Sequence, residues 1–310
     1  MAIGSASGKI ILFGEHAVVY GRPALAVPLN DLRARVRVQA RADPGVVICA
    51  RDLGRTFALE TAPPTDPLAA ITYITLAELN VPLSTGLELV IESEIPLASG
   101  LGSGAAVSTA MVRALDAYFE RALSAERVSA LVYETEKMYH GTPSGIDNTV
   151  IALERAIHFT RQTGARAITI ARPFCLVIAH TGIASPTKRT VGDVRRGWEK
   201  DPARYDKIFD EVGALVNRAE SALARGANEE LGALMDQNQE LLRTLDVSSP
   251  EIENLLTAAR RAGAPGGKLS GGGRGGNVIV YVGPADAEAI QRALLAAGAA
   301  KVLQTTVRNE

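Results

Sequence analysis

Short runs in the first 95 residues either cluster apolar side chains or alternate them with polar ones. Residues 34–40 alternate cleanly, with Val36 and Val38 on one side, as expected for a strand with one buried face. Shorter runs of these kinds cover residues 9–13, 46–49, 56–59 and 87–93. We therefore predict β-strands at these positions.

Apolar residues also recur three and four positions apart, a spacing that predicts helices. This pattern covers residues 68–78, the segment after residue 103 that carries Met111 and Leu115, and residues 125–140. Residues 150–159 and 167–171 again favour strands because their apolar residues are clustered or alternate.

From Phe174 onward the pattern changes. Residues 175–179 predict a buried strand, and amphipathic helices are predicted at 204–225, 228–245 and 250–262. A strand at 277–282, a helix at 284–296 and a strand at 301–307 complete the chain. The order of elements predicts an α+β protein with two domains, residues 1–173 and 174–310.

Composition limits the partners that we expect for this chain. The 33 basic and 34 acidic residues nearly cancel and form no basic block, which argues against nucleic acid. No apolar stretch reaches the length of a membrane span, and the N-terminus lacks a signal-peptide pattern. Cys49 and Cys175 lie in apolar runs and are expected to be reduced core thiols. We expect a cytoplasmic, enzyme-like protein with a small ligand.

A glycine-rich stretch joins the strand at 87–93 to the following helix. It consists of Pro96, Leu97, Ala98, Ser99, Gly100, Leu101, Gly102, Ser103, Gly104, Ala105 and Ala106. Unpaired N–H groups at the start of a helix, approached by glycine backbone, favour phosphate binding. The spacing of Gly100, Gly102 and Ala105 also fits a dinucleotide-binding fingerprint, and a turn without a ligand is equally consistent with it.

A charged segment surrounds the first apolar run. Lys9 precedes the run, and Glu15 and His16 follow it. A lone lysine is most often a surface residue, but the flanking Gly8 and Gly14 indicate a tight path that turns both ends of the strand toward one site.

A second charged segment extends from Glu136 to Asp147. Glycine and proline at positions 141–145 predict a compact turn that presents Asp147. Two carboxylates at such a turn suit a metal ligand and a base. Taken singly, Glu136 is equally well an exposed helix residue, and Asp147 a helix cap.

Residues 268–276 form a third glycine-rich segment, directly before a strand. A flexible connection is one interpretation of this segment. Backbone that approaches a ligand closely is the interpretation we favour inside a β-unit.

In this order, the three segments resemble the motifs of the GHMP family of small-molecule kinases, named for galactose, homoserine, mevalonate and phosphomevalonate. The resemblance extends from residue 9 to residue 276. It implies a two-domain α+β fold, with an N-terminal nucleotide domain similar to ribosomal protein S5 and a C-terminal ferredoxin-like α/β domain. Residues 14–21 and 140–148 are most similar to family members that phosphorylate mevalonate.

The resemblance implies roles for the candidate residues. Asp147 would be the catalytic base for the substrate hydroxyl, and Lys9 would activate that hydroxyl or hold the transferring phosphoryl group. The stretch at 96–106 would bind the phosphates of ATP. The substrate pocket would be lined by Glu15, His16 and Thr181.

One position departs from the family pattern. The family loop commonly has a serine that helps to bind Mg²⁺, where this chain has Gly104. The resemblance implies Mg²⁺ on Glu136, with Ser103 or an additional water in place of the missing hydroxyl. ATP and Mg²⁺ are therefore the expected cofactors.

The resemblance implies mevalonate as the substrate, phosphorylated at its 5-hydroxyl, and it is compatible with a homodimer. Phosphomevalonate is the main alternative, and a basic cluster would then meet its phosphate: Lys188, Arg189 and Arg195. A dinucleotide-binding oxidoreductase needs an acidic residue at a strand end about twenty positions after the loop, where Glu120 lies instead in a helix pattern. A sensor that binds ATP and sugar without turnover is a third hypothesis. The presence of both Lys9 and Asp147 argues against it.

Overall fold

The chain forms two compact units. The computed structural model describes residues 1–97, 99–140, 144–283 and 285–308, and only the backbone of Tyr139 and His140. The first unit contains Met1–Lys9, Asn30–Leu97 and Leu101–Glu154. The second unit contains Ile10–Leu29, Ser99 and Gly100, and the chain from Arg155 onward.

The strands of the first unit pair as the alternating pattern requires. They are β1 (Ala2–Phe13), β2 (Ala24–Ala40), β3 (Val46–Ala50), β4 (Arg55–Ala58) and β5 (Leu87–Ser93), of which β1 and β2 continue into the second unit. β1 pairs with β2, the second half of β2 pairs antiparallel with β5, β5 runs parallel to β3, and β3 antiparallel to β4. Val36 lies opposite Ile91, and Val38 opposite Leu89, all of them buried.

The helices of the first unit include the element that follows the glycine-rich stretch. They are α1 (Pro67–Glu78), α2 (Ser103–Phe119), α3 (Ala125–His140) and α4 (Ile146–Leu153). β1 approaches α2 so closely that a Cβ on Gly4 would lie 2.2 Å from the carbonyl oxygen of Ala110. Backbone-to-backbone packing of this kind leaves little freedom between the strand that carries Lys9 and the helix that follows the glycines.

The second unit contains two groups of strands. β6 (Ile157–Thr160) pairs with the beginning of β2, and β7 (Gly164–Ala167) pairs with β6. A separate antiparallel sheet has the order β11-β8-β10-β9, formed by β8 (Phe174–His180), β9 (Gly266–Ser270), β10 (Asn277–Val282) and β11 (Lys301–Val307).

Helices cover the apolar side of this sheet. They are α5 (Thr187–Lys200), α6 (Pro202–Arg225), α7 (Glu230–Thr244), α8 (Pro250–Arg261) and α9 (Ala287–Ala296). One core cluster joins Val177 of β8 and Val280 of β10 to Phe209 of α6, Ile252 of α8 and Ile290 of α9. Burying each of these side chains contributes roughly 1.5–3 kcal/mol, so the sheet and its helices depend on one another for stability.

The structure confirms the predicted α+β class and most predicted elements, but it corrects two strands. Residues 146–153 form α4, because Ile146, Val150 and Ile151 recur at helical spacing and are all buried. Only residues 157–159 of the predicted strand 150–159 are extended, as part of β6. The predicted strand at 167–171 is also wrong, since β7 ends at Ala167. Helix α5 and strand β9 were not predicted.

After Leu101 the chain passes from the first unit to the second once, between Glu154 and Arg155. The physical reason is that β6 and β7 pair with the beginning of β2, which lies in the second unit. The domain boundary at 173 and 174 remains a prediction from the sequence.

None of the helices in the described part of the chain combines the length and the apolar composition that a membrane span requires. Cys49 and Cys175 are both free thiols and half-buried, so they are less deeply placed than the predicted core positions.

Candidate active site

Lys9 and Asp147 form an ion pair in the first unit. The Nζ atom of Lys9 lies 3.0 Å from Oδ1 of Asp147, with 7% of the lysine side chain exposed and 34% of the aspartate side chain. Lys9 belongs to β1, and Asp147 to the first turn of α4, which begins after Gly145 in the left-handed conformation. The pair therefore has a buried cation and a carboxylate that remains accessible to a ligand.

The glycine-rich stretch is held directly against Lys9. The N–H of Lys9 donates a 3.0 Å hydrogen bond to the carbonyl oxygen of Leu101. Gly102 has φ +76°, and a Cβ there would lie 2.9 Å from Cγ of Lys9 and 2.9 Å from Cδ1 of Ile151. Glycine is required at this position both by the backbone conformation and by the lysine stem.

Gly102 is also the N-cap residue of α2, and no side chain caps the helix there. The first N–H groups of α2, from Ser103 onward, have no acceptor within the helix and carry the positive end of its dipole. Glu136 of α3 lies beside this turn, since a Cβ on Gly104 would be 3.9 Å from its Oε1 atom. Backbone donors, the serine residue and the carboxylate are thus grouped at one helix end.

Helix α4 is fastened at both ends, which fixes Asp147. Near its beginning, the side-chain amide of Asn148 donates to the carbonyl oxygen and the hydroxyl of Ser129 on α3, at 3.2 and 2.9 Å. After its end, Oε1 of Glu154 accepts from the N–H of Ser7 at 3.1 Å and from Arg33 at 2.7 Å. Because Ser7 and Lys9 belong to the same strand, these bonds fix the separation of Lys9 and Asp147.

Glu15 is buried in the second unit and forms an ion pair with Lys268 of β9. Both side chains are almost completely inaccessible, at 1% and 0% exposure. The ammonium also donates to the carbonyl oxygen of Leu269 at 2.6 Å. Burial lowers the pKa of Lys268, and the charge of Glu15 acts in the opposite direction.

His16 is buried beside Glu15 in a strained backbone conformation, with φ +61° and ψ −50°. Its Nε2 atom lies 3.1 Å from the carbonyl oxygen of Gly272. A carbonyl only accepts, so Nε2 carries the proton in the neutral ring. Desolvation is the main cause that lowers the pKa of His16 to about 4, and the positive charges of Lys268 and Arg274 add to the effect.

The third glycine-rich segment packs against its own unit. A Cβ on Gly273 would lie 2.0 Å from the carbonyl oxygen of Val247, and the residue has φ +79°. The hydroxyl of Thr181 donates to the carbonyl oxygen of Gly276 at 3.0 Å. Arg274 forms ion pairs with Asp193 and Asp246. The glycines of residues 271–276 are therefore explained in part by close packing within the protein.

The remaining loop residues differ in exposure. Leu97 and Gly100 are exposed and Pro96 is half-buried, whereas Ser99, Leu101, Ala105 and Ala106 are buried. The carbonyl oxygen of Ser99 accepts a hydrogen bond from the side-chain amide of Asn277. Ala98 lies outside the described residues.

The structure therefore groups the predicted residues within each unit. Lys9, Asp147, Gly102, Gly104 and Glu136 come together in the first unit, and Glu15, His16 and Thr181 are anchored to the third glycine segment in the second. Sequence reasoning assigned no role to Lys268 or to Glu154. Its place at the beginning of the third glycine-rich segment was the available signal for Lys268.

Two alternatives from the sequence analysis lose support: phosphomevalonate as the substrate, and a dinucleotide-binding oxidoreductase. Lys188, Arg189 and Arg195 are all exposed residues of α5, as expected for a solvated helix face. Glu120 directly follows α2 in a left-handed conformation and is exposed, not at the end of a strand. The dinucleotide-binding fingerprint requires a strand at that point.

Comparison with known proteins identifies the class. Residues 68–155 match the family model of the GHMP kinases N terminal domain, and residues 219–300 match that of the GHMP kinases C terminal. A mevalonate kinase of Pyrococcus abyssi is 33% identical over 316 residues, which cover 96% of this chain and 93% of that protein. A mevalonate kinase of Archaeoglobus fulgidus is 36% identical over 277 residues, covering 89% and 91%.

Solved structures agree with this result. A crystal structure of L. major mevalonate kinase in complex with R-mevalonate superposes with a TM-score of 0.88 at 30% identity, covering 100% of this chain and 97% of that chain. Streptococcus pneumoniae phosphomevalonate kinase, in complex with phosphomevalonate and AMPPNP, shares the fold with a TM-score of 0.80 at 16% identity, covering 98% and 100%. The fold and the paired motifs define a small-molecule kinase that uses ATP. The chain belongs to the GHMP kinase family.

Proposed function

We propose that this protein transfers the γ-phosphoryl group of ATP to the 5-hydroxyl of mevalonate, with Mg²⁺, as a step in isoprenoid precursor synthesis. Support comes from relatives named mevalonate kinase that match nearly the full chain, and from the likeness to the R-mevalonate complex. The observation that carries the chemistry is the ion pair between Lys9 and Asp147.

In this mechanism Asp147 accepts the proton of the substrate hydroxyl as that oxygen bonds to the γ-phosphorus. The bond from the γ-phosphorus to its bridging oxygen breaks, and ADP leaves. Lys9 lies 3.0 Å from the carboxylate, so it holds the base in place and offers a positive charge to the transferring group. Phosphoryl transfer depends mainly on such positioning and charge stabilisation.

The glycine-rich stretch is the proposed phosphate site. The uncapped start of α2 presents N–H donors at Ser103 and Gly104, and glycine at 102 lets the backbone pass close to Lys9. The proposed contact residues are Pro96, Leu97, Ala98, Ser99, Gly100, Leu101, Gly102, Ser103, Gly104, Ala105 and Ala106. A helix N-terminus favours phosphate through its free N–H groups and its dipole.

The residues at this helix end fit Mg²⁺. Glu136 supplies a carboxylate beside Gly104, and Ser103 supplies a hydroxyl at the first position of α2. Mg²⁺ prefers oxygen ligands and commonly takes one or two protein ligands together with substrate phosphates. When bound, the ion neutralises charge on the β- and γ-phosphates. No cluster of three His, Cys, Asp or Glu side chains that could hold a metal is found among the described residues, so phosphate and water complete the proposed ligand set.

Glu15, His16 and Thr181 are the proposed substrate-binding residues. The hydroxyl of Thr181 is engaged with the carbonyl oxygen of Gly276, and Glu15 with Lys268. Both side chains are therefore held in fixed positions.

A coupled ADP-release assay tests the proposal directly. We expect ATP- and Mg²⁺-dependent turnover of mevalonate that exceeds turnover of phosphomevalonate, homoserine and galactose by at least about tenfold. A faster reaction with phosphomevalonate contradicts the substrate assignment. Absence of ADP release with all four compounds would favour a sensor.

Location and assembly remain predictions. A cytoplasmic location is tested by cell fractionation with an antibody against the chain. A homodimer is tested by light scattering coupled to size-exclusion chromatography, where a mass near twice 32.6 kDa is expected.

A further inference from the structure

The third glycine segment contacts the end of β1 and the turn that follows it through every second residue. The Nζ atom of Lys268 binds Glu15, the hydroxyl of Ser270 donates to the carbonyl oxygen of Ile11 at 2.8 Å, and the carbonyl of Gly272 meets His16. Lys268 and Ser270 belong to β9, where alternate residues face the same side. One side of this segment therefore holds the turn that carries Glu15 and His16.

Lys268 is the charged residue among these three contacts. An ammonium in full burial is tolerated only with a partner of opposite charge and further hydrogen bonds. Glu15 supplies the charge, and the carbonyl oxygen of Leu269 supplies an additional acceptor. Removal of Lys268 takes away the ammonium that faces the buried Glu15 carboxylate, which favours the protonated acid.

The same cation acts on His16. Lys268 and Arg274 are the charged groups that lower the pKa of the imidazole, in addition to its burial. One lysine thus favours an ionised Glu15 and a neutral His16 side by side. Apolar residues in place of a buried ion pair often give similar or greater stability, so packing alone does not explain these charges.

We propose that Lys268 is a positioning residue for the substrate: it holds Glu15 ionised and His16 neutral, and so fixes the turn that the proposed function assigns to mevalonate binding. This inference rests on the proposed function. Lys268 itself does not touch the substrate in this scheme, and it acts through Glu15 and His16.

Steady-state kinetics of Lys268→Met, Lys268→Arg and the double variant Lys268→Met with Glu15→Gln test the inference. In Lys268→Met we expect the KM for mevalonate to rise at least about tenfold, with the KM for ATP within twofold of the wild type. Its kcat/KM for mevalonate should also gain a new step, rising with pH as Glu15, which no longer faces the ammonium, ionises. Lys268→Arg keeps the charge and should show no such step. The double variant should lose the step, because the titrating group is gone.

Wild-type turnover of mevalonate is measured first. Its absence overturns the proposed function and this inference with it, whereas turnover with an unchanged mevalonate KM in Lys268→Met overturns the inference alone. Equal changes in both KM values, or a pH profile identical to the wild type, also overturn it. If Lys268→Met does not fold, Lys268→Arg and the double variant decide: a mevalonate KM within twofold of the wild type in both contradicts a positioning role.

Discussion

At the scale of single residues, Asp147 carries the most direct prediction. Asp147→Asn keeps the shape of the side chain but cannot accept the hydroxyl proton, so turnover should fall at least about a hundredfold. The KM for ATP should change little. The ADP-release assay measures both quantities. Asp43→Asn is a matched control in the same unit, because Asp43 is 81% exposed in a surface ion pair. Near-normal turnover of Asp147→Asn would reduce Asp147 to a structural residue of α4.

His16 makes a prediction about stability and pH. Its pKa is about 4 in the folded protein and 6.5 in the unfolded chain, so the unfolded state binds the proton more readily. The stability that the neutral ring contributes is therefore present above pH 6.5 and is lost as the pH falls toward 4, by about 3 kcal/mol at most. Urea unfolding at several pH values measures this slope. His16→Asn should reduce it, since asparagine tolerates positive φ and does not titrate. An identical slope in both proteins contradicts the assignment.

Glu136 and Gly104 make a prediction about the metal. Glu136→Gln removes one anionic ligand and should raise the Mg²⁺ concentration needed for half-maximal activity severalfold. Gly104→Ser should lower this Mg²⁺ concentration, because the added hydroxyl offers the ion another oxygen ligand. The side chain has room, since a Cβ at this position would lie at an ordinary 3.9 Å from Oε1 of Glu136. Titration of activity with Mg²⁺ at fixed ATP measures both effects. Unchanged titrations in both variants would show that ATP and water alone hold the ion.

At the scale of elements, the loop, β1 and α4 meet at Gly102. Gly102→Ala places a methyl group 2.9 Å from both Lys9 and Ile151 in addition to straining the backbone. We expect a stability loss of about 1–2 kcal/mol from the positive φ alone, and a turnover loss of about tenfold or more as Lys9 shifts.

The matched control for this loop variant is Gly164→Ala. Gly164 has φ +75°, close to that of Gly102, and its added methyl group would meet nothing within 4 Å. Its stability loss should be similar in chemical denaturation, with turnover unchanged. Equal turnover in both variants would show that the contact with Lys9 does not matter for catalysis.

At the scale of the whole molecule, substrate binding should stabilise the folded state. A ligand that binds only the folded protein, at a hundred times its Kd, raises the free energy of unfolding by about 2.7 kcal/mol. Mevalonate should therefore raise the thermal midpoint, and galactose at the same concentration should leave it unchanged. Differential scanning fluorimetry measures the two shifts. A shift with galactose alone would contradict the substrate class.

Local patterns were sufficient for much of the chain. The strand at residues 87–93 and the helix at 125–140 follow from periodicity, because one face of each is more deeply buried than the other. The strand at 277–282 follows from a continuous apolar run that is almost entirely buried. The three glycine-containing motifs and their order indicated the kinase family, because phosphate binding requires particular residues at close spacing.

The tertiary structure decided what depends on distant residues. Residues 146–153 are helical because their apolar side chains are buried at helical spacing after Gly145, whereas the clustered apolar residues of 150–159 alone favoured a strand. All five residues of β9 are buried, so no alternation marked it as a strand. Glu15 and Lys268 are 253 positions apart, and an ion pair of this kind leaves no periodic trace in the sequence. Sequence determined which groups are available for the chemistry, and long-range packing determined which of them meet.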